Sequence, residues 1–129
     1  MAIYGIGAYY DEDVSEEFIE DKVIGTGWDI ATAPELHEYF KSLKVGDIVY
    51  LKSAQFGNDI TVKAIGIVTD NVILTVHDHY RTVIGRNVKW VDVKKFVIPK
   101  PKEKNNVRSN TVYEEFHPLV QAEIIKRIN

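Results

Sequence analysis

The sequence contains no cysteine, so disulfides, thiol catalysis and thiolate zinc sites are all excluded. It also contains no run of roughly 18 apolar residues, which predicts that no helix spans a membrane and that no membrane is a partner. The first residues lack the basic start and the cleavage site of a secretory signal. From these absences we predict a cytoplasmic protein.

The common catalytic and cofactor motifs are missing as well. No nucleophile elbow, phosphate-cradling loop or dinucleotide fingerprint occurs. His77-Asp78-His79 could bind a metal, but no further ligands follow nearby, and surface histidines are the simpler interpretation. The carboxylates of residues 11–13 could hold Mg²⁺ or act as acid and base, but a helix cap at Asp13 with two solvated neighbours is the favoured explanation. We therefore predict no metal, no cofactor and no enzymatic activity.

Length and charge indicate one small domain with two charged regions. The chain has 129 residues, of which 45% are apolar, which is enough for one core over residues 1–129. The net charge is −3, yet acids dominate residues 10–29 and bases dominate residues 80–108. Such an arrangement could orient a polyanion, or it could be two ordinary solvated surfaces.

Local patterns predict both helices and strands. Capping boxes begin at Asp13, Thr32 and Thr111, the second one opening a helix over 33–43. Pro118 opens a last helix with Val120, Ile124 and Ile128 on one stripe. Strand-like segments cover 3–10, 48–53, 61–69, 72–76, 81–84 and 87–93, and a loop covers 99–106.

This order of elements predicts an α+β fold, because too few helices alternate with the strands for a parallel α/β sheet. We expect a small, strongly curved mixed β-sheet or open pseudo-barrel flanked by helices. Residues 99–129 are predicted to form a loop and C-terminal helices that pack on this sheet.

Trp28 lies in the glycine-flexed segment Gly25-Thr26-Gly27-Trp28-Asp29, just ahead of the second predicted helix. The tryptophan could seal the gap between the first helix and the sheet. It could instead form the flat wall of a pocket, where stacking of a base contributes about 1–3 kcal/mol, with the glycines allowing close backbone approach. We favour the pocket wall. Trp90 lies in an alternating strand, which favours a core position.

Other residues at strand ends and in loops could complete such a site. The pocket candidates are Tyr9, Tyr10, Ser53 and Tyr80, with Asn58 as a further hydrogen-bonding group. The candidate phosphate contacts come from the basic region and are Arg81, Arg86, Lys89, Lys94 and Lys95.

Several short segments across most of residues 3–98 follow the order and spacing of a known family. They are Tyr4-Gly5-Ile6-Gly7-Ala8, Gly25–Asp29, Leu43–Lys52, Ile65-Gly66-Ile67-Val68 and Arg86–Val93. In this order the chain resembles the PUA-like superfamily, specifically its EVE and YTH branch. Within that branch it is similar to the EVE-like N-terminal domains of McrB-type methyl-directed restriction systems.

The resemblance implies a curved pseudo-barrel that reads a modified base, held in an aromatic cage and flipped out if it comes from a duplex. Trp28 matches the first cage tryptophan, and Asp29 follows it where the backbone touches the base edge. Tyr9 and Tyr10 match the end of a pocket-lining strand. Trp90 matches a structural tryptophan, and Tyr80 lies near where the family often has a second cage tryptophan.

Three hypotheses follow. The first is a non-enzymatic reader of a modified base, in DNA more than in RNA, with other subunits of a restriction or defence system as possible partners. The second is a protein–protein or small-ligand module on the same fold, which the absence of a basic groove beside Trp28 would favour. The third is a small ASCH-like hydrolase, which needs a paired lysine and carboxylate beside a threonine or serine.

Overall fold

The architecture was obtained from a computed structural model that describes residues 2–8, 13–53, 59–75, 82–101 and 110–128. Within these residues the strands are β1 (Ile3–Gly7), β2 (Val23–Thr26), β3 (Ile48–Ser53), β4 (Ile60–Val68), β5 (Ile84–Asp92), β6 (Phe96–Ile98) and β7 (Val112–Glu114). The helices are α1 (Ser15–Asp21), α2 (Pro34–Ser42) and α3 (Pro118–Ile128).

All the named strands belong to one mixed sheet in the order β2-β5-β4-β3-β1-β7, with β6 paired to the first part of β4. β1 and β3 run parallel, and the other pairs are antiparallel. Register shifts at Leu51/Lys52 and at Ile65/Gly66 interrupt the ladders. Bulges increase local twist and bend the strand that carries them. The sheet curls into a half-barrel flanked by helices, so the predicted fold class is confirmed.

Each face of the sheet carries a buried apolar cluster. Along β3, Val49 and Leu51 point into one apolar cluster, which α1 and α2 cover and which we call the α1/α2 core. Ile48 and Tyr50 point into the other cluster, which α3 covers and which we call the α3 core. This alternation follows from the period of two in a strand, and it explains why β3 is an almost continuous apolar run.

The predicted helices α2 and α3 are confirmed, and α3 begins at Pro118 as expected, whereas the predicted capping boxes need correction. Pro34 opens α2 as expected, but Thr32 does not cap it. Asp13 precedes α1 and accepts hydrogen bonds from the Ser15 N–H (2.9 Å) and hydroxyl (2.5 Å), so it acts one residue ahead of its predicted place. The capping box predicted at Thr111 is wrong, because residues 112–114 form β7 and pair with β1.

Gly25 permits close packing of β2 against β5. It lies directly opposite Gly85 in the β2–β5 pair. A Cβ atom on Gly25 would lie 2.8 Å from the Ile84 carbonyl oxygen, and one on Gly85 would lie 2.5 Å from the Ile24 carbonyl oxygen. Glycine is therefore required here by the neighbouring backbone.

Candidate ligand-binding cleft

Trp28 presents its indole to solvent from a fixed main chain. Its N–H donates to the hydroxyl of Thr26 (3.3 Å), and its carbonyl accepts from Nε2 of His37 (2.8 Å). Both partners are buried, Thr26 at the end of β2 and His37 on α2. The Trp28 side chain nevertheless remains 45% exposed. The backbone is thus tied at two points while the ring is available.

The indole borders an open cleft of about 570 Å³ between α2 and the start of β7. This volume is within the usual range of roughly 300–1,000 Å³ for small-molecule sites. The cleft is lined by Trp28, Ala33, Glu35, Leu36, Tyr39, Asn110, Thr111 and Val112. The lining therefore combines aromatic and apolar surface with a few groups that form hydrogen bonds.

Tyr39 is the second aromatic residue of the cleft, and the sequence prediction missed it. It lies on α2 three residues after Leu36, so the two side chains share one side of the helix. Its ring packs edge-to-face on Tyr4 of β1, with centroids 6.2 Å apart. The helical spacing of Leu36 and Tyr39 was the available signal, although it is also the spacing of an ordinary core face.

A buried lysine supports the wall opposite α2. Lys52 of β3 is only 6% exposed, and its Nζ donates to the Asn110 carbonyl (2.7 Å). The ammonium also lies 5.2 Å from the centroid of the Tyr113 ring. Burial lowers the pKa of Lys52 to about 8. A lysine within an otherwise apolar strand was the sequence signal for this contact.

Among the described residues, the charged side chain that lines the cleft is acidic, and so is the one on the turn beside Trp28. Glu35 lines the cleft, and Asp29 lies on the exposed turn beside Trp28. The Asp29 carboxylate accepts hydrogen bonds from the Thr32 hydroxyl (2.8 Å) and N–H (2.9 Å), and these bonds lower its pKa. Among the described lining residues there is no lysine or arginine. The Asp29 side chain therefore closes this turn and is not part of the described cleft lining.

Arg86 does not contact phosphate, so that prediction is wrong. The side chain is 1% exposed, and its guanidinium donates to three backbone carbonyls, those of Phe40 (2.8 Å), Leu43 (2.5 Å) and Asp70 (2.7 Å). Two of these carbonyls belong to the C-terminal end of α2. Arg86 thus satisfies carbonyls that the helix leaves without an internal partner.

The three predicted lysines are exposed but do not share the Trp28 cleft. Val88 and Trp90 face the α1/α2 core, to which the cleft belongs, so Lys89 between them faces the other side. Lys94 and Lys95 follow β5, whose other end pairs with β2 beside Trp28. At about 3.3 Å per residue, Lys94 and Lys95 lie up to roughly 30 Å along β5 from the end that pairs with β2.

Most remaining predicted positions lie outside the described residues. These are Tyr9, Tyr10, Asn58, His77, Asp78, His79, Tyr80 and Arg81. Ser53 is exposed at the end of β3 and is not part of the cleft lining. Trp90 is confirmed as a packing residue, because its ring contacts the α1/α2 core and Nε1 donates to the Phe18 carbonyl (3.0 Å).

In the described part of the chain, no three histidine, aspartate or glutamate side chains lie close enough together to hold a metal ion. None of the helices described is both long enough and apolar enough to cross a bilayer. No protein-family model matches the sequence, and no curated protein matches it.

Proposed function

We propose that the chain is a non-enzymatic binding domain that holds a nucleobase, modified and flipped out of its strand, against Trp28. The observation that carries this proposal is the half-exposed indole on a tied backbone at the mouth of the cleft. Aromatic rings are common stacking platforms for bases, and each stacked base contributes about 1–3 kcal/mol.

The other lining groups suit a substituted aromatic ring. The side chains of Asn110, Thr111 and Glu35 can exchange hydrogen bonds with the edge of a base. Ala33 and Leu36 offer apolar surface to a methyl substituent. The resemblance to EVE-like domains supports DNA as the polymer and a restriction or defence system as the setting.

A small-ligand or protein-binding module is the second candidate, and the charge at the cleft mouth favours it. Glu35 and Asp29 are acidic, and the described lining offers no cation to a phosphate. A hydrolase receives less support. Thr111 and Glu35 share the cleft, but the ammonium of Lys52 is buried and engaged with the Asn110 carbonyl.

The test is a binding panel of methylated and unmodified oligonucleotides, single- and double-stranded, measured by calorimetry. Trp28→Ala should weaken binding of the preferred oligonucleotide about tenfold to a hundredfold, because the stacking surface is lost. Circular dichroism should show an unchanged fold, since the ring is exposed. Phe116→Ala is the matched control, because that ring is 71% exposed and lies outside the cleft lining. Equal affinities of Trp28→Ala and the parent protein would contradict the proposal.

A further inference from the structure

The charge of the Trp28 cleft restricts which rings it should prefer. Two aromatic side chains, Trp28 and Tyr39, line it together with one carboxylate, that of Glu35. Aromatic faces attract cations, and tryptophan does so most strongly. A nearby carboxylate adds attraction of the same sign. Neither the aromatic faces nor the carboxylate attracts a neutral, electron-rich ring as strongly as it attracts a cationic ring.

Further carboxylates lie behind and beside the cleft. Tyr4, which packs against Tyr39, has a raised pKa because of burial and the nearby charges of Glu114 and Asp47. Asp29 adds a further carboxylate on the turn that carries Trp28. Among the described residues, the opposing charges are the ammonium of Lys52, buried against the Asn110 carbonyl, and the positive N-terminal end of α2 near Glu35. Within this part of the chain, carboxylates outnumber ammonium groups around the site.

We infer that the Trp28 cleft selects a base carrying a positive charge, as methylation of a ring nitrogen produces. This inference rests on the proposed function and narrows its ligand class. Methylation at N1 of adenine or N3 of cytosine yields a cationic ring at neutral pH. Methylation at the exocyclic N6 of adenine or at C5 of cytosine leaves the ring neutral. Stacking area is similar in each pair, so the cleft discriminates by charge.

These isomers provide the test, because at pH 7 the members of each pair have the same heavy atoms and differ by one bound proton and its charge. Identical single-stranded oligonucleotides carrying 1-methyladenine or N6-methyladenine, and 3-methylcytosine or 5-methylcytosine, are titrated with the protein at pH 7. The parent protein should bind each cationic isomer about tenfold more tightly than its neutral isomer. Trp28→Ala should weaken binding of both members.

Glu35→Gln tests the carboxylate, since it removes the charge and retains the shape of the side chain. The preference for the cationic isomers should fall several-fold, while affinity for the neutral isomers stays within about twofold. Glu38→Gln is the matched control, because Glu38 is exposed on the same helix and outside the cleft lining. It should retain the full preference.

The outcomes separate this inference from the proposed function. Equal or tighter binding of the neutral isomers would overturn the inference, and the proposed function would stand if Trp28→Ala still weakened that binding. An unchanged preference in Glu35→Gln would overturn the role of the carboxylate. Binding of a trimethyllysine peptide without binding of any oligonucleotide would overturn both, and would instead identify a protein-binding module.

Discussion

At the scale of single residues, the burial of Lys52 makes the free energy of unfolding depend on pH. The pKa of Lys52 is lowered to about 8 by burial, from 10.5 for an exposed lysine. Below pH 8 the side chain is protonated in both the folded and the unfolded protein. Between pH 8 and about 10 the unfolded chain binds more protons than the folded one, so the free energy of unfolding should rise with pH.

We predict that Lys52→Met abolishes this rise. From pH 7 to pH 9.5 the parent protein should gain up to about 2 kcal/mol of stability from this residue, whereas the variant should not. Urea unfolding at both pH values measures the difference. The comparison stops below pH 10, because burial raises the pKa values of Tyr4 and Tyr50 and their ionisation in the unfolded state then lowers stability. Parallel pH profiles of the two proteins would contradict the assignment.

The residue scale also shows what a sequence pattern can and cannot predict. The glycine-rich segment at Trp28 predicted an accessible indole, and the structure places the ring at a cleft mouth. Arg86 was predicted to contact phosphate because it lies in a basic region. Its burial depends on carbonyls of Phe40, Leu43 and Asp70, which only the tertiary fold brings to it. Composition alone does not reveal such partners.

At the scale of elements, Arg86 holds α2, the helix that carries Leu36 and Tyr39 of the cleft. We predict that Arg86→Met destabilises the protein by about 3–5 kcal/mol, since buried carbonyls lose a charged partner. Arg86→Lys should recover only part of this loss, because an ammonium lacks the forked donors that reach several carbonyls. Thermal unfolding measures both variants, and hydrogen exchange should locate the loss of protection in α2. Full stability of Arg86→Lys would show that the fork geometry is unimportant.

The elements differ in how well local sequence predicts them. Pro34 and the apolar spacing of Leu36 and Phe40 act within one helix, so α2 was predictable. The Thr-x-x-Glu pattern of residues 111–114 also resembled a helix start. These residues form β7 because β1 offers a free edge, where Tyr113 lies opposite Gly5. A Cβ on Gly5 would lie 2.4 Å from Cζ of Tyr113, so the ring fills the space that glycine leaves. That fit is long-range and has no local signal.

At the scale of the whole molecule, a curled sheet with one core on each face links distant parts of the chain. Tyr50 of β3 shows this connection. Its hydroxyl donates to Oε1 of Glu115 (2.7 Å) and therefore accepts from the hydroxyl of Tyr113 (2.8 Å). Val49 and Leu51, its neighbours in the same strand, pack in the opposite core. The class of fold was predictable from the element order, whereas the parallel pairing of β1 with β3 required the tertiary structure.

Because β3 contributes to both cores, we predict that they unfold together. Phe18→Ala in the α1/α2 core should cost about 3–5 kcal/mol and Ile124→Ala in the α3 core about 2–5 kcal/mol, since each residue is fully buried. Tryptophan fluorescence reports the α1/α2 side, whereas far-UV circular dichroism reports the whole chain. The two signals should change at the same urea concentration in both variants, as expected for a two-state domain.

Ile125→Ala, at the exposed neighbour of Ile124, is the control and should change stability by less than about 0.5 kcal/mol. An early loss of helical signal in Ile124→Ala, before any change in fluorescence, would show instead that α3 and its core unfold independently of the cleft.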